Sequence, residues 1–232
     1  STLTASLYET EVLYRRNLER HAFDRDDLIK QLRITLFHEV GHFLGLDEED
    51  LRERGDDTVL LTEIANLATS EGDYARAADF YIRIVDLNEA DTDATNDTQN
   101  KEMLVMAGTW YSHSTIGRYE EAIVVLDRAA DLEMIPTENL ILQRLKTYYN
   151  YGKKLKTDAQ AEADPVRKAE LETQSTELLN RAVEIGVAMT NNYVANAEGF
   201  FYLSGAQLEL GDFTAAEANL KTFEELNAAG TQ

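Results

Sequence analysis

Apolar residues recur along this chain at helical spacing, and the periodic stretches are separated by glycine or by polar runs. Leu28, Leu32, Leu36, Val40 and Phe43 fall on one face of a helix. Asp24 can cap its start, Asp26 and Asp27 sit in its first turn, and Gly45 can end it. Glu48 to Arg54 reads as a short second helix stopped by Gly55. Beyond Gly55 the same periodicity predicts helices over 58–71, 74–87, 101–116, 119–133, 197–210 and 213–227. Between the fourth and fifth of these, Leu140, Leu142, Leu145, Tyr148, Tyr149 and Tyr151 lie along one helix. Leu178, Leu179, Ala182, Val183, Ile185 and Val187 lie along another. Asp164-Pro165 is a helix-start signal, and the charged stretch Lys153 to Ser175 reads as solvated helix ends. Residues 88–100, rich in Asp, Asn and Thr, read as a loop with nothing to bury.

A short motif organises the second part. Gly72-Asp73-Tyr74 with Ala77, Gly117-Arg118-Tyr119 with Ala122, and Gly211-Asp212-Phe213 with Ala216 all read Gly-x-aromatic-x-x-Ala. Four residues after each alanine stands a bulky residue: Tyr81, Leu126 and Leu220. Such recurrence marks a repeat architecture. The physical reading is a helix hairpin. Glycine turns the chain, the aromatic packs as the second helix starts, the small alanine lets the helices cross closely, and the bulky residue fills the core between repeats. The first two glycines are 45 residues apart and the next two 94, which leaves room for a degenerate copy between them.

Composition narrows the class. The chain has 232 residues, two prolines and no cysteine, so disulfides and thiolate metal sites are excluded. No apolar run is long enough for a membrane span, and no leader-like pattern opens the chain. A formal charge of −21 argues against nucleic acid and anionic membrane as partners and leaves basic protein surfaces open. The location expected is the cytoplasm, or the periplasm if the N-terminal serine is a processed end. Residues 1–55 hold 8 Lys+Arg against 12 Asp+Glu and three of the four histidines, whereas 56–232 hold 14 against 31. That change of character places a domain boundary near Gly55.

Candidate chemistry concentrates in His38-Glu39-Val40-Gly41-His42. On a helix, residues i and i+4 share a face, so both imidazoles can reach one zinc ion, with Glu39 placed as general base toward a metal-bound water. Catalytic zinc generally takes a third protein ligand. Asp47 and Glu48, just past the helix end, are the candidates, with Asp50 a weaker one. His21, Arg15 and Arg16 read as surface residues. His113 reads as a core or groove residue, and Trp110 and the tyrosines as repeat core.

Two resemblances follow from these motifs. The Gly-aromatic-Ala pattern resembles the tetratricopeptide repeat family, although the first helices lack the Trp-x-x-Leu-Gly opening and the spacing exceeds the family's 34 residues. The stretch Leu13-Tyr14-Arg15-Arg16-Asn17-Leu18-Glu19 with Thr35 to Leu46, Leu51 and Gly55 resembles the bacterial minimal zincins, small zinc metallopeptidases. That resemblance implies His38 and His42 as zinc ligands, Glu39 as base, and an acidic third ligand at Glu48, with Asp47 adjacent. It also makes segment 7–18 a strand, where the spacing of Leu3, Leu7, Tyr14 and Leu18 gives a helical face. Only 37 residues precede His38, fewer than the family's domain has.

The expected fold is therefore mostly α. A helical-hairpin repeat array of tetratricopeptide type follows a small zincin-like segment. Residues 1–55 form the metal-binding segment and 56–232 the repeats, at 56–90, 101–136, a degenerate 138–190, and 197–228. The expected function is binding of a protein or peptide in the repeat groove, with a zinc metallopeptidase-like site. The alternative is a non-catalytic scaffold whose metal motif is structural or vestigial. The oligomeric state is not legible.

Overall fold

The computed structural model describes residues 58–90, 97–132 and 136–230. The expectations that fall on His38, Glu39, His42, Asp47, Glu48 and the helix around them lie outside the described residues. By its contacts the chain divides after Leu60. The architecture below is that of the second unit and of the helix that leads into it.

Eight α-helices are present among the described residues and no strand: α1 Thr58–Ser70, α2 Tyr74–Ala90, α3 Asp97–Tyr111, α4 Tyr119–Asp131, α5 Glu138–Ala161, α6 Pro165–Asn192, α7 Ala197–Leu210 and α8 Phe213–Gly230. They pair as hairpins α1/α2, α3/α4, α5/α6 and α7/α8. Each hairpin packs on the next, giving the helical repeat array that the periodicity predicts.

Among the described residues the three motif glycines are those with positive φ: Gly72 at 79°, Gly117 at 67° and Gly211 at 86°. This is the left-handed region, where a Cβ is costly. The turns at Gly72 and Gly211 are built alike. Asp73 N donates to Ala68 O at 2.9 Å and Asp212 N to Gln207 O at 2.9 Å, which closes off the preceding helix. Each aspartate then caps the following helix, accepting from Arg76 N at 3.2 Å and from Ala215 N at 3.1 Å. The Gly117 turn is longer. α3 stops at Tyr111, short of the expected 116, and residues 112–118 make the connection. Arg118 replaces the capping aspartate and makes no side-chain cap.

The wide spacing does hold a fourth hairpin. Thr137 caps α5 through Leu140 N, and Asp164 caps α6 through Val166 N and Arg167 N with Pro165 in the first turn. Both helices are long, at 24 and 28 residues. They bury Leu145, Tyr148, Leu179, Ile185 and Met189 in one core with Ala206 of α7. Beyond it, Leu155, Ala159 and Leu171 form a second, smaller core toward the tip.

The loop expected over 88–100 is shorter than that. α2 runs to Ala90 and α3 begins at Asp97. Asn100 is buried, and the Asn88 side-chain amide donates to its Oδ1 at 2.7 Å. A polar residue can be buried here because its partner is supplied across the hairpins.

The repeat motif behaves as expected at alanine and differently elsewhere. Ala77, Ala122 and Ala216 are all buried. Tyr81 packs between repeats, 5.7 Å from the Trp110 ring, and its hydroxyl donates to Asn66 Oδ1. Leu126 instead packs inside its own hairpin, against Gly108. Leu220 is 41 % exposed. The motif aromatics reach forward rather than into their own hairpin: Tyr74 meets Trp110 of α3 at 5.5 Å, and Tyr119 stacks on Tyr151 of α5 at 5.5 Å.

A lysine-bearing cleft between the second and third hairpins

Lys146, Asn150, Lys153 and Lys154 stand at i, i+4, i+7 and i+8 on α5, so they share one face. That face meets Ser112, His113 and Ser114 in the turn after α3 across a cleft of about 490 Å³, with Tyr119 in its wall. No Asp or Glu side chain lines it. In a chain of net charge −21 such a lining stands out, although two of its three lysines are paired with carboxylates just outside it.

The three lysines are held differently. Lys146 is mostly buried; its Nζ lies 2.6 Å from Glu198 Oε2 of α7 and 5.3 Å from the Tyr202 ring centre. Lys154 pairs with Asp158 one turn along α5. Lys153 is exposed, and its Nζ lies 5.8 Å from the Tyr149 ring rather than beside a carboxylate. Its charge is therefore the least compensated of the three. His113 is exposed, and its Nδ1 lies 2.8 Å from Thr115 Oγ1, which fixes the ring at the mouth of the cleft. His113, expected as a core or groove residue of a repeat helix, lines the cleft from the turn after α3.

An aromatic strip adjoins the lysines. Tyr149 of α5 meets Tyr202 of α7 edge-on at 5.7 Å, Tyr202 meets Phe201 at 5.2 Å, and Phe201 meets Phe223 of α8 at 5.1 Å. Tyr149 can lie flat there because Gly205 faces it; a Cβ at 205 would come within 3.0 Å of the ring. Phe201 is 43 % exposed. Cation and aromatic surface thus sit side by side, a pairing suited to a peptide with an acidic and an apolar side chain.

Trp110 belongs to the packing between hairpins, as expected, since Tyr74 and Tyr81 flank it. Among the described residues no group of three His, Asp or Glu side chains could hold a metal ion. No described helix is long and apolar enough to cross a membrane. The periodicity of the sequence does not disclose a lysine-lined cleft. The signal was present as Lys146, Lys153 and Lys154 on one helical face, but the whole Lys153 to Ser175 stretch reads as solvated ends until α3 is placed beside it.

Comparison with known proteins gives two likenesses. No curated protein matches the chain. Among solved structures, YrrB, described as a TPR protein with an unusual peptide-binding site, is 18 % identical and matches 77 % of this chain and 90 % of its own, with a TM-score of 0.32. The part of the chain ahead of the described helices carries the other likeness: residues 2–57 match the family model of the zincin-like metallopeptidases.

Proposed function

We propose that this chain is a protein-binding helical-repeat module that takes an acidic peptide segment in the cleft between α3 and α5, joined to a zinc metallopeptidase-like segment. The observation that carries the binding role is the lysine face of α5 set in an otherwise acidic chain. A peptide carboxylate at Lys153 would gain a charge-assisted hydrogen bond that no carboxylate of the chain already occupies. The neighbouring Tyr202 and Phe201 offer apolar area to the next side chain.

The test uses two fluorescent peptides, one rich in Glu and Phe and one rich in Lys and Phe, titrated into the whole chain. The acidic peptide binds and the basic one does not. Lys153→Glu weakens binding of the acidic peptide at least tenfold. Equal binding by both peptides, or an unchanged Lys153→Glu variant, rejects the cleft.

The metal role rests on the match at residues 2–57 and on the H-E-x-x-H spacing within it. His38 and His42 with Glu48, or Asp47 in its place, form a nitrogen and oxygen donor set that suits zinc. Zinc, when bound, supplies a Lewis acid and an acidified water, and Glu39 is the group that would accept the proton. Elemental analysis of the purified chain gives one zinc, lost in His38→Ala. Cleavage of an unstructured protein substrate is lost in Glu39→Gln while zinc stays. A chain without zinc favours the scaffold reading, in which the motif is vestigial.

A further inference from the structure

The outer face of α8 repeats the surface with which α2 and α4 each hold the hairpin that follows. Counted from the turn glycine, Tyr74, Tyr119 and Phe213 are each at the second position, and Tyr81, Leu126 and Leu220 at the ninth. In the first two hairpins the aromatic meets a ring of the next hairpin, Trp110 or Tyr151. Phe213 is 68 % exposed and Leu220 41 %, and α8 packs on α7.

The seams that follow the first two hairpins, which carry the Gly-aromatic-Ala motif as the last one does, share a charge polarity, whereas the seam after the motif-less third hairpin reverses it, with Lys146 and Lys156 of α5 on Glu198 and Glu209 of α7. In those first two seams the second helix of one hairpin supplies acids, and the following hairpin supplies arginine and tyrosine. Asp79 of α2 accepts from Tyr111 and from Arg118 at 2.8 Å, and Asp86 and Glu89 hold Arg128 at 2.7 Å each. Asp127 of α4 holds Arg144 at 2.8 Å and accepts from Tyr148 at 2.7 Å, and Glu120 accepts from Tyr151. α8 continues the acidic side of this polarity with Glu217, Glu224 and Glu225, all exposed. Glu225 stands at the position of Asp86, fourteen residues past its glycine.

We infer that the outer face of α8 is a second binding surface, distinct from the lysine cleft, that takes a partner's amphipathic helix bearing an aromatic ring and an arginine on one face. The aromatic meets Phe213 as Trp110 and Tyr151 meet Tyr74 and Tyr119, Leu220 adds apolar area further along the helix, and the arginine meets Glu225 and its neighbours. The helix α1, Thr58–Ser70, with which a second copy would stack in register, contains neither an arginine nor an aromatic residue.

The test uses the chain's own seam chemistry as probe. A peptide with the sequence of residues 138–156, carrying Arg144, Tyr148 and Tyr151, is stapled to hold it helical, because an isolated helix of this length is marginal. It is titrated into the full chain beside a stapled peptide of residues 58–70. The first peptide binds saturably and the second does not. Phe213→Ser with Leu220→Ser weakens binding at least tenfold while far-ultraviolet circular dichroism shows the helices intact, since both side chains lie on the solvent side of α8. Arg144→Glu in the peptide does the same. No binding, or binding unaffected by the double substitution, overturns the proposal. So does a dimer in sedimentation that the double substitution dissolves, because that assigns the face to a second copy.

Discussion

A Cβ added to Gly108 would lie 2.5 Å from Leu126 Cγ and 2.8 Å from its Cδ2, so the helices of the second hairpin cross where only a hydrogen fits. The Ala122 carbonyl oxygen, one turn earlier on the same helix, stands 3.3 Å away. Neither neighbour is free to retreat, because Leu126 and Ala122 are both fully buried. Gly108→Ala therefore destabilises the fold by about 1–3 kcal/mol through overpacking, even though alanine is the better helix former. Leu126→Ala alone leaves a cavity and also destabilises, by about 2–5 kcal/mol. The double variant loses less than the sum, since each change makes room for the other. Urea denaturation of the four proteins measures this coupling. A Gly108→Ala variant as stable as the parent contradicts it.

The crossing at Gly108 has counterparts that show what the sequence holds and what it hides. Gly152 faces Leu179, and Gly186 faces Leu203, each with an added Cβ at 2.8–3.0 Å from the leucine. The Gly-aromatic-Ala recurrence exposes the turns and the buried alanines because these are local. Glycine in mid-helix has no local reason, and its partner leucine is 17 to 27 residues away, so the pairing is invisible until the helices are laid together. The same limit applies to the lysine cleft, which needs α3 and α5 side by side. It applies as well to Asp127, a single acid of α4 that serves both Arg144 and Tyr148. The H-E-x-x-H motif is the opposite case. It is legible from spacing alone, and it lies within residues 2–57, which match the zincin-like family model.

Turn glycines make a different prediction from crossing glycines. An added Cβ at Gly211 meets nothing within 4 Å, yet its φ is 86°. The cost of substitution there is the backbone alone, about 1 kcal/mol for alanine. Asparagine, which tolerates the left-handed region, costs less, and valine costs more. The ranking Asn, Ala, Val in rising destabilisation is read from thermal unfolding. Destabilisation that instead follows side-chain volume in the order Ala, Asn, Val shows that space, not φ, governs the position.

Tyr148 links stability to alkaline pH. Burial first, and then its hydrogen bond to Asp127, push the phenol up to about 12 from an ordinary value of 10.0. The fold thus favours the neutral hydroxyl, and the folded value lies above the unfolded one. The contribution is whole below about pH 10 and is lost as pH rises toward 12. Two pH units of separation set a ceiling of about 2–3 kcal/mol on the effect. Tyr151, raised to about 12 by burial and by Glu120, adds to the same window. Unfolding free energy measured from pH 9 to 12 falls more steeply in the parent than in Tyr148→Phe. Parallel curves for the two proteins reject Tyr148 as a source of the slope.

Trp110 is the sole tryptophan, and it lies in the seam between the first two hairpins. Its emission therefore reports whether α2 stays docked on α3. Its two neighbours in that seam are unequal. Tyr81 is 6 % exposed and bonded to Asn66, whereas Tyr74 is 43 % exposed and makes only a ring contact. Tyr81→Ala removes a buried ring and costs about 3–5 kcal/mol, with a red-shifted Trp110 in the native state. Tyr74→Ala shifts Trp110 emission as well, but costs about 1 kcal/mol or less, because most of what it loses is one partly solvated aromatic pair. Fluorescence and far-ultraviolet circular dichroism followed together through urea unfolding separate the two variants. If Trp110 emission stays fixed in both, the tryptophan is shielded by something other than α2, and the seam described by Tyr74, Tyr81 and Trp110 is not the one that holds the hairpins together.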